Sequence, residues 1–384
     1  MGVLSRTPAP IDADHPAAAD LLRVLAAWAV GAFHIWQQSW YSGAAPAHWL
    51  RAGSVGVDWL VLLSAFCLFL PWANAAAQGR PLPLTRPAAF YRRRAVRLLP
   101  AYYASLLFSL VPTLHRAGWS RTLGIDLAAH LTLTQQLFPQ SYLATRLNGV
   151  TWTLTVFALF YLVFPLLAPL CVRRPLPTLG ALCAVQLGYT LWVLPQYGSE
   201  AYSSLFNQFP AFCGVLAVGL AAALVFARLA RGGWTQRLLP RAGCTVLGAL
   251  ALVWLNAQLR AQAYAAEFQR YQLVNRMPLA LAAAAVLVGF GLGLTPPRSV
   301  RRALAWLSAL TYSFYLWHQQ LTVFLKYDLH LPVWSGDTPP NQLGDTVWMQ
   351  QAHALYWTAA IAVTLAAYYG VEKPIAKRLH GKKG

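Results

Sequence analysis

Charge is what this 384-residue chain has least of: Asp, Glu, Lys and Arg make up 11% of it, where a soluble chain carries about a quarter. So few charges cannot cover a water-facing surface of that length, which excludes a string of soluble domains. Acid is scarcer still, with 11 Asp and Glu against 30 Lys and Arg and a formal net charge of +19. A nucleic-acid binder concentrates its basic residues on a solvated face. Here they punctuate long apolar runs, so nucleic acid is excluded as the partner. Cysteine is sparse as well. Cys67, Cys171, Cys183, Cys213 and Cys244 fall inside or at the ends of apolar runs with no paired loop spacing. Neither a disulfide framework nor a zinc site is indicated, and no metal is expected. Glycines such as Gly289–Gly293 read as helix packing; no phosphate-binding loop is present.

What the chain has instead is apolar length: 58% of its residues are hydrophobic. A membrane-spanning helix needs roughly 20 mostly apolar residues, and ten segments fit: 21–41, 55–77, 98–115, 150–171, 177–195, 205–227, 238–256, 277–295, 303–325 and 353–371. The expected fold is therefore all-α and polytopic, with about ten transmembrane helices. A shorter apolar stretch near 125–138, carrying His130, reads as an interfacial or re-entrant piece in the loop from Arg116 to Asn148. Basic residues alternate sides around these spans. Arg6, the arginines from Arg80 to Arg97, Arg173–Arg174, Arg228–Arg241, Arg298–Arg302 and Lys373–Lys383 fall on one side, and most of the acidic loops on the other. Positive charge stays inside, so both termini are expected in the cytoplasm. Residues 1–20 read as a cytoplasmic segment, 21–372 as one transmembrane domain and 373–384 as a basic cytoplasmic tail. Asp12, Asp14 and Asp20 precede the first span where a signal peptide would carry basic residues, and the Ala-Ala-Pro-Ala stretch after it is a weak cleavage mimic.

Ionisable groups at membrane depth are costly and point to function. Arg23 and His34 share a face of the first span within about 20°, three turns or roughly 16 Å apart. Asp58, near the start of the second span, falls within about 5 Å of His34 in depth. A carboxylate there would fix the imidazole tautomer and favour His34 as a proton acceptor. The plainer alternatives are that His34 is a packing residue, that Arg23 snorkels to the interface, and that Asp58 caps its helix. At the foot of the third span stand Arg92, Arg93, Arg94 and Arg97. As topogenic charge they hold that end inside; yet Arg94 and Arg97, three residues apart, also suit two forks gripping a phosphate. In the ninth span Tyr312, Ser313, Tyr315 and His318 crowd into two turns, either as interhelical glue or as part of a site. Tryptophans such as Trp28, Trp36, Trp152 and Trp317 read as core or interfacial belt.

Taken in order, these blocks resemble the acyltransferase family 3 membrane proteins. The resemblance rests on Leu22–His34 with its Arg…His helix, on Gly56–Phe66, and on Arg94-Ala-Val-Arg97 followed by Leu99-Pro-Ala-Tyr-Tyr103. It continues through Trp152-Thr-Leu with Phe160-Tyr161 and Phe164-Pro165, through Tyr312–His318, and through Glu372-Lys-Pro374. The family O-acylates surface polysaccharides, peptidoglycan, antibiotics and lipids. The resemblance implies a catalytic role for His34, with Arg23 beneath it and Asp58 at a recurrent acidic position. It implies that Arg94 and Arg97 bind acyl-coenzyme A, a donor substrate with no permanent cofactor, and gives His318 a less defined role. One departure stands out: typical members carry Glu where this chain has Phe157.

The expectation is acyl transfer, acetyl in the first instance, from cytoplasmic acyl-coenzyme A to a hydroxyl on the outer side, a glycan by preference. His34 would act as base oriented by Asp58, and Arg23, Tyr315 or His318 would serve as oxyanion donor. The excess of arginine over lysine and the abundance of alanine suggest a GC-rich bacterial genome, hence an inner membrane. The rival classes are a transporter or flippase moving an acyl donor or glycolipid without chemistry, an enzyme using a lipid-linked donor, and an inactive relative, which Phe157 motivates.

Overall fold

A backbone surrounded by hydrocarbon must satisfy its own polar groups, and this chain does so with helices. The computed structural model describes residues 11–43, 46–83 and 86–380. It is 81% helical and, among the described residues, has no strand. Arg6, Ala44–Ala45, Lys382 and Lys383, used above in judging topology and cleavage, lie outside that set. Ten long helices order the described residues: α1 (Ala17–Ser39), α2 (Gly56–Ala77), α3 (Pro87–Ala117), α4 (Trp152–Arg173), α5 (Pro175–Val193), α6 (Cys213–Arg231), α7 (Leu238–Ala263), α8 (Phe268–Gly293), α9 (Arg298–Tyr327) and α10 (Thr346–Ala367). Each matches one expected span.

Nine of the ten are long and apolar enough to cross a membrane; α9 is long enough but less apolar. The reason is visible in what α9 buries. Ser308, Thr311, Ser313, Tyr315, His318, Gln320, Thr322 and Lys326 all point into the bundle, so its polarity is internal.

Two boundaries move in ways that matter. α3 starts at Pro87, a first-turn proline whose missing N–H costs nothing there. The arginines 92–97 therefore ride on a helix rather than in a loop. The span expected at 277–295 begins earlier, at Phe268, so that Pro278 lies inside α8. Arg276 is consequently eight residues into the helix, roughly 12 Å from its end.

α2 and α6 form the spine, with 72% and 78% of their apolar windows buried, against 17% for α5 and 22% for α7 on the periphery. α2 approaches its neighbours closely because glycines meet backbone. A Cβ on Gly219 of α6 would stand 2.4 Å from the Leu62 carbonyl oxygen, and one on Gly56 would stand 2.3 Å from that of Ala26 in α1. Small residues permit such contacts where lipid supplies no hydrophobic drive between helices. At the arginine-rich end, Asp14 binds Asn74 of α2 (3.0 Å) and Arg231 of α6 (2.6 Å), and Asp12 faces Arg301 of α9 at 3.8 Å. Toward the other end, the helix Arg121–Leu131 folds back along α3. There Tyr102 and Tyr103 donate to the carbonyls of His130 (2.8 Å) and Leu131 (3.1 Å).

The spine contact yields a stability test. Gly219→Ala should destabilise the protein by about 1–3 kcal/mol, read as a lowered thermal midpoint in detergent. Gly243→Ala, whose Cβ would meet nothing within 4 Å, should leave the midpoint unchanged. Equal midpoints for both would show that the α2–α6 approach is not tight.

Candidate active site

His34 is carried by the last turns of α1, a helix end secured from two sides. Trp40 terminates it in the left-handed region (φ 60°). The buried Lys326 of α9 donates to the Gln38 carbonyl at 2.7 Å, meeting one of the carbonyls a helix end leaves unpaired. A column of rings packs beside it: Trp28 stacks on Trp357 (5.3 Å) and Phe314 (5.1 Å), and Phe314 stacks on His318 (5.5 Å). His318 in turn sits 5.3 Å from the His34 ring. His34 faces a chamber of about 520 Å³ walled by Phe33, Trp36, Gln37, Arg51, Asp58, Trp152, Asn207, Gln272 and Tyr315 among others. The imidazole Nδ1 lies 2.9 Å from Gln37 Oε1. An amide oxygen only accepts, so Nδ1 carries the hydrogen and Nε2 keeps its lone pair.

Asp58 lies on the wall of the same chamber but is not the group that orients His34. Its carboxylate pairs with Arg276 of α8 (Nε to Oδ1 3.1 Å), and both side chains are 1% exposed. Nor does it cap α2: the cap position is Val55, which makes no side-chain cap bond, and Asp58 stands in the first turn. Equal depth placed the two groups level, but the partner was decided by helix packing. Arg276 also donates to Asn207 Oδ1 (2.9 Å) and to the carbonyls of Phe206 (3.3 Å) and Ala211 (3.4 Å), and lies 4.2 Å over the Phe212 ring. Asn207 accepts from Gln136 through its backbone carbonyl. The Asp58–Arg276 pair thus ties α2 and α8 to the 206–212 loop and, through it, to the 135–137 turn. Sequence reasoning missed Arg276 because it sits just before an apolar run, among the loop charges.

At the opposite end Arg94 and Arg97 line two joined cavities. The outer one, about 680 Å³, runs past Arg92, Arg93, Tyr312 and Glu372, whose carboxylate accepts from Ser313. Glu372 ends a π-helical turn, Tyr368–Glu372, that follows α10. The inner cavity, about 300 Å³, is lined by Arg23, Arg94 and Arg97 together with Phe157 and Tyr161, and by no carboxylate among the described residues. Arg23 is committed to Asp20 (3.0 Å), Ser308 (2.7 Å) and Cys67 (3.1 Å). Arg94 and Arg97 make no ion pair among the described residues, and Arg94 Nε is buried without a partner. Phe157 stacks on Tyr161 at 6.3 Å.

Tyr315 is the wall shared by the arginine cavity and the His34 chamber. The structure therefore sets the two ends expected from sequence on either side of Tyr315, and the three expected oxyanion candidates have partners of their own. Tyr315 spends its hydroxyl on Thr153 (2.9 Å) and the Val150 carbonyl (3.1 Å). His318 Nδ1 donates to the Phe314 carbonyl at 3.0 Å, leaving Nε2, buried and unpartnered, with a lone pair rather than a hydrogen. Arg23 is a member of the arginine cavity, about 16 Å down α1 from His34.

The bundle thus holds an imidazole in one chamber and, in the next cavity, two guanidiniums that make no ion pair among the described residues. The family model for the acyltransferase domain matches residues 17–371, and the chain belongs to that family, acyltransferase family 3. It is similar to the acyltransferase MdmB of Streptomyces mycarofaciens, with 32% identity over 191 residues, 47% of this chain and 46% of that protein. The chain thus spans about half the length of that relative. No solved structure matches.

The ion pair makes a prediction separable from catalysis. Removing one partner of a buried pair leaves an uncompensated charge and costs roughly 3–5 kcal/mol. Asp58→Ala and Arg276→Met should each lower the unfolding midpoint sharply, while the double variant recovers part of the loss. A double variant as unstable as the sum of the singles would deny the coupling.

Proposed function

We propose that the protein is an acyl-coenzyme A-dependent O-acyltransferase of a bacterial inner membrane, acetyl being the simplest acyl group. It passes the acyl group to a hydroxyl of a glycan, lipid or small-molecule acceptor. The arginine-rich end faces the cytoplasm with both termini, in keeping with the distribution of basic residues. The observation that carries this reading is the succession of cavities from the arginine face to His34, each sharing walls with the next. Arg94 and Arg97 hold the donor's phosphates with charge-assisted bonds. The thioester arm passes Tyr315, and the acceptor hydroxyl enters the chamber. His34 Nε2 takes the hydroxyl proton as the oxygen attacks the thioester carbonyl. The new C–O bond forms, the C–S bond breaks, and the departing thiolate receives the proton back from the imidazolium.

Asp58 supports this chemistry as a scaffold through Arg276. The chamber's mixture of rings and amides suits a polyol or glycoside face, aromatic walls meeting C–H surfaces and amides meeting hydroxyls.

Reconstituted protein given labelled acetyl-coenzyme A tests the proposal. His34→Ala should cut thiol release and acyl transfer by about 10²–10⁴-fold while leaving donor affinity intact. Transfer by His34→Ala at the wild-type rate ends this mechanism. Proteoliposomes that accumulate intact thioester mark a carrier instead, since a carrier releases its cargo unchanged. Separately, Arg94→Ala with Arg97→Ala should weaken donor binding by roughly tenfold or more, as expected for losing hydrogen bonds to charged groups. An unchanged dissociation constant returns both arginines to topology.

A further inference from the structure

We infer that Gln37 is the positioning residue of His34: its side-chain oxygen fixes the imidazole with hydrogen on Nδ1, so that Nε2 faces the chamber as the proton acceptor. The inference rests on the base role proposed for His34. A catalytic imidazole needs a third group to set its tautomer and orientation, and the expected one, Asp58, is taken by Arg276. Gln37 is the hydrogen-bond partner of the His34 ring among the described residues, at 2.9 Å. Three residues on along α1, it sits on the neighbouring turn of the same face. Helix geometry alone brings the two side chains together.

The other charged and titratable groups around the chamber do not compete for Nδ1. His318, on α9, offers only the Nε2 lone pair, since its Nδ1 is bound to the Phe314 carbonyl. Arg51, on the short helix Ala47–Arg51, lies 5.6 Å from the Trp36 ring and 5.5 Å from that of Tyr264, and carries no acceptor atom. Arg276 is likewise donor-only and is held in its own network. A neutral orienting group differs in kind from a carboxylate, because it sets direction without adding a formal charge to a chamber already holding one buried ion pair.

The test separates this inference from the function it rests on. In protein labelled with ¹⁵N-histidine, the His34 resonances are assigned by their loss in His34→Asn. Wild type should show a protonated Nδ1 and a bare Nε2. Gln37→Met, similar in size but without an acceptor oxygen, should mix or reverse the two, and Gln37→Glu, which keeps an acceptor, should restore them. With acetyl-coenzyme A as donor, Gln37→Met should lose about 10–100-fold in kcat, the scale seen for groups that orient a functional histidine. KM for the donor should stay unchanged, and Gln37→Glu should recover most of the loss. A bare Nδ1 in wild type overturns the inference, as does a Gln37→Met variant with wild-type tautomer and kcat. Should wild type consume no thioester, the enzyme reading fails while the resonances still decide the role of Gln37.

Discussion

The buried pair between Asp58 and Arg276 is the contact on which the arrangement of the chamber depends. Two charges taken from water to a site 1% exposed repay their desolvation only where further hydrogen bonds complete them. Arg276 finds those in the 206–212 loop and over the Phe212 ring. The result is a short connection that ends in the 3-10 helix Phe209–Phe212 and whose carbonyls at Phe206 and Ala211 are met by protein. The chamber has the width it has because that loop, α2 and α8 share one guanidinium. His34 hangs from α1, which is held to α2 by the Gly56 approach and to α9 by Lys326.

The same residue type does opposite work at the two ends. Arg276 is held inside the protein: its Nε faces the Asp58 carboxylate, its terminal nitrogens donate to Asn207 and to the carbonyls of Phe206 and Ala211, and its plane lies over the Phe212 ring. Arg94 and Arg97 form no ion pair among the described residues, and one of their buried nitrogens has no partner. Arg94 is half-buried and Arg97 exposed, so both stay open to an incoming anion. On the proposed reading, the arginine with a buried counter-ion is the strut, and the two without an ion pair among the described residues hold the donor.

How much of this could be read beforehand follows from what each feature depends on. The ten helices were legible because apolar length is a one-dimensional property, and even α9 was found though its polar face dilutes its hydropathy. The relation of Arg23 to His34 was legible too, since 100° per residue is arithmetic on a single helix; the two do lie on successive cavities along α1. The Asp58 partner was not. Depth arguments place groups on a level without saying which helices adjoin, and α8 rather than α1 presented the counter-charge. The partners of the oxyanion candidates were illegible for a finer reason. Tyr315 and His318 hold the right atoms, but local carbonyls of Val150 and Phe314 absorb their hydrogens. Gln37 was within reach of the same helix arithmetic that paired Arg94 with Arg97; attention to ionisable residues alone passed over an amide.

Phe157 takes on a different meaning once its place is known. A carboxylate at this position, as typical relatives have, reads from sequence as a possible acceptor-orienting or proton-handling group. The side chain instead lines the arginine cavity, across Tyr315 from the His34 chamber, and stacks on Tyr161. A carboxylate there would sit among Arg23, Arg94 and Arg97 and cancel part of their field in a space of about 300 Å³, where low polarity makes charges count for more. Phenylalanine leaves that field whole. On the proposed reading the departure therefore bears on how strongly an anionic donor is drawn in and released. On that reading it does not remove a proton acceptor, because the imidazole proposed as one is in the next chamber, beside Gln37.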